Sequence, residues 1–248
     1  MKPTSPRRAR LAARALAAGP WLLAVAALII AMAAQAQAPA PQRSPTQGVS
    51  VIDDTGRRVS LPAPAQRVAA LAPNLVEQLY AIGAGARLVA ASEYADYPEA
   101  ARALPRVAVA GAIDLERLVA VKPDLVVAWG GGTSPAQLAA LASLGVPVYV
   151  AEATTLDAVA TSMERLGVLT AAPDAAAAAA RYRADLAALR QRHAGAQPVR
   201  VFYQAWPTPL ITLGGRHVIS EAIALCGGRN VFAALEGLAP TVSTEAVL

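Results

Sequence analysis

The chain has 248 residues, with 22 Lys and Arg against 17 Asp and Glu and a formal net charge of +5. Five of those basic residues and none of the acids lie in the first 36 positions, so the rest is balanced at 17 against 17 and gives no support for a nucleic-acid partner. The one cysteine, Cys226, is either a small buried hydrophobe or half of a disulfide whose partner is absent from the chain.

Residues 1–36 read as a signal peptide. Lys2, Arg7, Arg8, Arg10 and Arg14 form a basic start, and "WLLAVAALIIAMAA" (21–34) is an uncharged apolar core. Its 14 residues fall short of the roughly 20 that span a bilayer. Small residues at 34–36 favour cleavage after Ala36. A retained anchor helix is the alternative. No cysteine stands near the junction to carry a lipid. Residues 37–48, rich in Pro and Gln, read as a flexible lead-in. About 200 residues then remain for folding, enough for one large domain or two lobes.

In chain order, "VSVIDDTGRRVSLP" (49–62) predicts a hairpin around Asp-Thr-Gly. "RVAALAP" (67–73) predicts a short buried strand, followed by a helix with Asn74 as its N-cap and Gly83 as its stop. "RLVAASEY" (87–94) is the next strand. Asp114 caps a short helix that carries Glu116, and "DLVVAW" is a strand ending on Trp129. Ser134 caps a helix with Pro135 at its first position, and "VPVYVAE" (146–152) is again a strand. Apolar strands alternating with helices predict a parallel sheet covered on both faces in residues 49–153.

From Thr155 to His193 the pattern is helical, interrupted near Ala172-Pro173-Asp174. Residues 173–195 as one helix would run about 33 Å, long for an ordinary crossover, so 154–196 is expected to bridge two lobes. Residues 197–248 restart the alternation with strands "RVFYQAW" (200–206) and "LITLGG" (210–215) and a helix over 216–228. Ser243 or Thr244 caps a further helix. Two strands and a helix do not close a core, so the second lobe is expected to be truncated. The predicted fold class is α/β, two Rossmann-like lobes joined by a long backbone helix.

Little here supports an enzyme. The two histidines, His193 and His217, are far apart in sequence and make a poor metal site. Gly130-Gly131-Gly132-Thr133 lies between a strand and a helix, as a phosphate-binding turn would, but lacks the G-x-G-x-x-G spacing and the P-loop lysine. A Rossmann-like enzyme using that turn is the rival from a different class. The aromatics say more because they are scarce. Tyr94, Tyr97, Trp129 and Trp206 all fall at or near strand ends, where open α/β sheets form their ligand crevice.

Taken in order, "VIDDTGRRVSLP", "RVAALAPNLVEQLYAIGAG", "SEYADYPEAA", "DLERLVAVKPDLVVAW", "RVFYQ", "CGGRNVF" and "VSTEAVL" resemble the periplasmic substrate-binding proteins of ABC importers for iron–siderophore complexes, haem and cobalamin. "SEYADYP", "DLERLVAVKPDLVVAW" and "CGGRNVF" are similar to the cobalamin branch. The resemblance implies two lobes, a corrinoid carried between them as transported ligand rather than cofactor, and no catalysis. It further implies a monomer in the periplasm, with an ABC permease and its ATPase as partners. Tyr94, Tyr97 and Trp129 would face the ligand, with Trp206 as an added stacking surface. Glu116 and Glu245 match the acids that dock on permease arginines. Cys226 matches a cysteine whose disulfide partner would lie beyond Leu248. Three family aromatics are replaced, by Ala110, Ala239 and, at a cleft position, Ile211. Those losses keep a haem or iron–siderophore receptor as the alternative ligand class.

Overall fold

The computed structural model describes residues 48–109 and 111–247. The expected signal peptide, nearly all of the lead-in and Ala110 lie outside the described residues.

The chain opens on the predicted hairpin, β1 (Val49–Ile52) and β2 (Arg58–Leu61), paired antiparallel. Asp53 shapes its turn. One carboxylate oxygen accepts from the Thr55 amide (2.9 Å), the Thr55 hydroxyl (2.6 Å) and the Arg57 amide (2.9 Å). The other faces the Arg57 guanidinium at 3.2 Å. Burial alone would raise this carboxyl, but the bonds from Thr55 and Arg57 outweigh it and hold the group below the usual carboxylate range. The sign follows: a depressed folded pKa stabilises above the unfolded value, near 3.9, and that contribution is lost as pH falls through the folded pKa. Asp53→Asn is therefore expected to destabilise the protein at pH 7 by about 1–3 kcal/mol. The gap to the parent should narrow towards pH 3, as read by chemical denaturation at both pH values.

A six-stranded sheet follows. It contains β3 (Val68–Ala70), β4 (Leu88–Ser92), β5 (Arg106–Val109), β6 (Ala112–Ile113), β7 (Leu125–Trp129) and β8 (Val148–Ala151). The order is β6-β5-β4-β3-β7-β8, parallel except for β6, a two-residue edge strand that the sequence reading missed. Side chains alternate between two cores, as strand geometry requires. Val68, Ala70, Leu125 and Val127 face the hairpin side, while Ala69, Ala90, Val107 and Val126 face Leu118 and Leu141.

The helices of this half are α1 (Pro73–Ala81), α2 (Leu115–Ala120) and α3 (Pro135–Ser143). Asp114 caps α2, accepting from the Arg117 amide at 2.9 Å. Ser134 and Gln137 form a full capping box on α3. Asn74 is not a cap. The α1 N-cap is Ala72, because Pro73 presets the helical φ and lacks the amide that a cap would satisfy.

The break near 172–174 is present, between α4 (Leu156–Thr170) and α5 (Ala175–His193). The long helix expected to join the two lobes packs on the first half through its alanines and meets the second through Arg190 and Glu221. Ala160, Met163, Leu166 and Leu169 of α4 and Ala175, Ala178 and Ala179 of α5 are buried in the same core as the hairpin. The small alanines let α5 lie close along α4, and Arg183 bonds Asp157 and Glu164 across the pair.

Beyond α5, β9 (Val199–Val201) pairs in parallel with β12 (Gly228–Asn230), with α6 (Val218–Leu225) between them in sequence. The expected strand over 200–206 ends at Val201. Trp206 instead opens a small hairpin, β10 (Trp206–Pro207) with β11 (Leu210–Ile211). Pro207 and Pro209 lack the amide donors that a central strand needs. In this half Leu213 is the one buried hydrophobe among the described residues. Polar links take the place of a large core: the Asn230 amide donates to the Leu213 carbonyl (2.7 Å) and the Ser220 hydroxyl (2.8 Å). Glu221 of α6 ties this half to the helix pair, accepting from the Leu156 amide at 2.6 Å and facing Arg190 at 3.3 Å.

Candidate ligand cleft

β3 lies at the centre of the sheet, with β4 and β5 on one side and β7 and β8 on the other. Strand order therefore reverses between β3 and β7. Chains leaving the carboxyl ends of such a pair diverge and open a crevice. A cavity of about 980 Å³ lies there. One wall is the start of α1 with the ends of β7 and β8, and α4 and Tyr182 of α5 contribute to the lining. The other wall comes from the second half: Tyr203 and Ala205 after β9, Leu213, His217 to Ile219 at the start of α6, and Ala239. A smaller recess of about 180 Å³, lined by Ser92, Tyr94, Thr133 and Gln137, lies at the same strand ends and shares Trp129 with the cavity.

The expected ligand residues divide. Trp129 borders both spaces, Tyr97 the large cavity and Tyr94 the small recess. Tyr94 and Tyr97 are 75% and 70% exposed, and so available to a partner. Ala239 lines the large cavity. Trp206 and Ile211 line neither space. The Trp206 indole donates to the Thr208 carbonyl at 3.1 Å, within its own hairpin. Glu116 is exposed in the first turn of α2. Glu245 is exposed just after Ser243, whose hydroxyl accepts from the Ala246 amide at 3.3 Å, the start of a capped turn. Hydrogen bonds from its own amide and from the Ser243 side chain hold the Glu245 carboxyl below its usual range. Cys226 is free and exposed at the end of α6.

Several lining residues were not singled out from the sequence. Tyr203 and Glu152 follow strands β9 and β8, and the strand-end rule that found Trp129 points to them too. His217 is the N-cap of α6, its Nδ1 accepting from the Ile219 amide at 3.1 Å. Histidine is not among the preferred caps, so that role was hidden. Burial lowers its pKa. Burial, reinforced by Asp54, raises the Glu152 carboxyl, and a hydrogen bond from Trp129 only partly offsets this. Among the described residues no group of three or more His, Cys, Asp or Glu converges to hold a metal ion.

A parallel sheet with helices on both faces, a second smaller α/β half and an open cleft at the switch point define a solute-binding protein. The chain belongs to the periplasmic binding protein family, which describes residues 68–248. Within it, the chain is similar to the vitamin B12-binding proteins. That of Vibrio cholerae is 45% identical over 188 residues, 75% of this chain and 68% of the relative. That of Yersinia pestis is 42% identical over 192 residues, 77% of this chain and 69% of the relative. The crystal structure of the periplasmic vitamin B12-binding protein BtuF of Vibrio cholerae matches with a TM-score of 0.68 and 44% identity, covering 74% of this chain and 72% of that one. A periplasmic haem-binding protein from Roseiflexus matches at 25% identity and a TM-score of 0.64, covering 74% and 72%.

Proposed function

We propose that this chain is an exported receptor that captures a corrinoid, cobalamin or a close relative, in the cleft and delivers it to an ABC permease and its ATPase. It acts in the periplasm and catalyses no reaction. One observation favours a corrinoid over haem: none of the described residues lining the large cavity is Lys or Arg, while Glu77 and Glu152 both are there. Haem brings two propionates, which in a low-dielectric cleft require cationic partners. Cobalamin carries one phosphodiester anion against the two propionates of haem, and otherwise presents neutral amides around a cationic metal–ring centre, which suits carboxylates and hydroxyls. The cavity also stands at the top of the roughly 300–1,000 Å³ range of small-molecule pockets, as a macrocycle requires. Tyr97 and Trp129 supply flat surfaces for it.

The phosphate-turn reading loses its support for a physical reason. The space beside Gly130–Gly132 is taken by the Trp129 ring and the Glu152 carboxylate, and a carboxylate repels the anion such a turn would bind. Absorbance titrations with haem and with cyanocobalamin test the ligand class. Haem is expected to bind at least about a hundredfold more weakly, the cost of burying an unpaired carboxylate being several kcal/mol. Equal or tighter haem binding would reverse the assignment.

A further inference from the structure

We propose that Glu152 is a positioning residue for Trp129, a brace that holds the indole as a fixed wall of the cleft. This rests on the reading of Trp129 as a ligand-facing surface. Trp129 ends β7, and Glu152 follows the neighbouring parallel strand β8, so their backbones run side by side. The Trp129 ring and the Glu152 carboxylate pack against the same glycine turn, and the indole acts on the carboxyl, partly offsetting the rise that burial causes. The three glycines after Trp129 report how closely these groups pack. A methyl on Gly130 would overlap a Glu152 carboxylate oxygen, and one on Gly132 would overlap the Trp129 ring. A methyl on Gly131 would press on both, at 3.0 Å from the ring and 3.3 Å from the carboxylate. The Gly-Gly-Gly run is thus the imprint of a tryptophan folded back over its own turn and held by a carboxylate.

Glu152 is itself anchored. Its amide donates to Asp54 at 2.7 Å, and Asp54 pairs with Arg165 of α4. The Asp54 amide donates to the Val150 carbonyl at 3.1 Å. The N-terminal hairpin, which precedes the segment that the family describes, therefore reaches the cleft through Asp54, Glu152 and Trp129.

The test uses the chain with Trp21 and Trp206 changed to phenylalanine, leaving Trp129 as the sole tryptophan. Glu152→Ala is expected to increase acrylamide quenching of Trp129 in the free protein and to weaken cyanocobalamin binding about tenfold. Glu152→Gln keeps a carbonyl for the indole and should stay within about twofold of the parent. Glu152→Asp, which withdraws the acceptor by one methylene, should shift quenching and affinity in the same direction as alanine and keeps the test open if Glu152→Ala does not fold. With Trp129→Phe as background, which has no indole N–H, Glu152→Ala should cost less than about twofold. Unchanged quenching, or the same loss of affinity with and without the indole, overturns the brace. Should the parent fail to bind cyanocobalamin, the corrinoid reading falls, while the quenching measurements still decide the brace.

Discussion

Trp129→Ala is expected to lower cobalamin affinity by about a hundredfold, the 2–3 kcal/mol typical of a buried aromatic anchor. Trp129 lines both the large cavity and the small recess, and the residue is 41% exposed in the free protein. A ligand covering that face removes a large apolar surface from water without having to order a loose side chain, since the glycine turn and Glu152 already fix the ring. Trp206→Ala is the natural contrast. Its ring lies outside both lined spaces and its indole bonds within its own hairpin, so its loss should change affinity less than about threefold. Equilibrium titration of both variants checks the pair. Equal losses would mean that the ligand lies across the second hairpin instead of at the end of β7.

The second large effect concerns delivery. Glu116→Arg together with Glu245→Arg is expected to abolish stimulation of the importer's ATPase by the loaded receptor, while cobalamin affinity stays within about twofold. Both side chains are exposed and neither lines the cleft. Helix caps give each a defined site: Asp114 for α2, and Ser243 for the turn that carries Glu245. Reversing the charge replaces attraction with repulsion at the contact, a change that acts on association more than on ligand binding. ATPase activity in proteoliposomes measures it, and undiminished stimulation would assign docking to another surface.

What the sequence revealed depended on how local its signals were. The hairpin around Asp54-Thr55-Gly56, the caps at Asp114 and Ser134 and the interruption near 172–174 rest on short-range chemistry, and the structure has each of them. Trp129 and Tyr97 were legible because a strand followed by a helix in a parallel sheet fixes where its carboxyl end must lie. Trp206 lies in a hairpin of its own because the predicted strand stops at Val201 and Trp206 pairs with Ile211 instead. Asn74 lost the capping position to Ala72, because Pro73 already opens the helix. Glu152 was passed over and His217 was weighed only as a metal ligand, because their places in the cleft arise from contacts with other segments, an indole across the sheet and a cleft closed by the second half. The alanine-rich helix is legible as a bridge from its length, and it touches both halves, through the first core and through the Arg190–Glu221 pair, but its composition says little about burial. Only its packing against α4 places Ala175, Ala178 and Ala179 in the first core.

The most direct test of the account is isothermal titration of the purified protein with cyanocobalamin, with dicyanocobinamide run alongside. One site per chain is expected, with a negative heat-capacity change from covering the apolar cleft and quenching of tryptophan fluorescence that saturates at the same stoichiometry. No heat and no quenching with either corrinoid would contradict it.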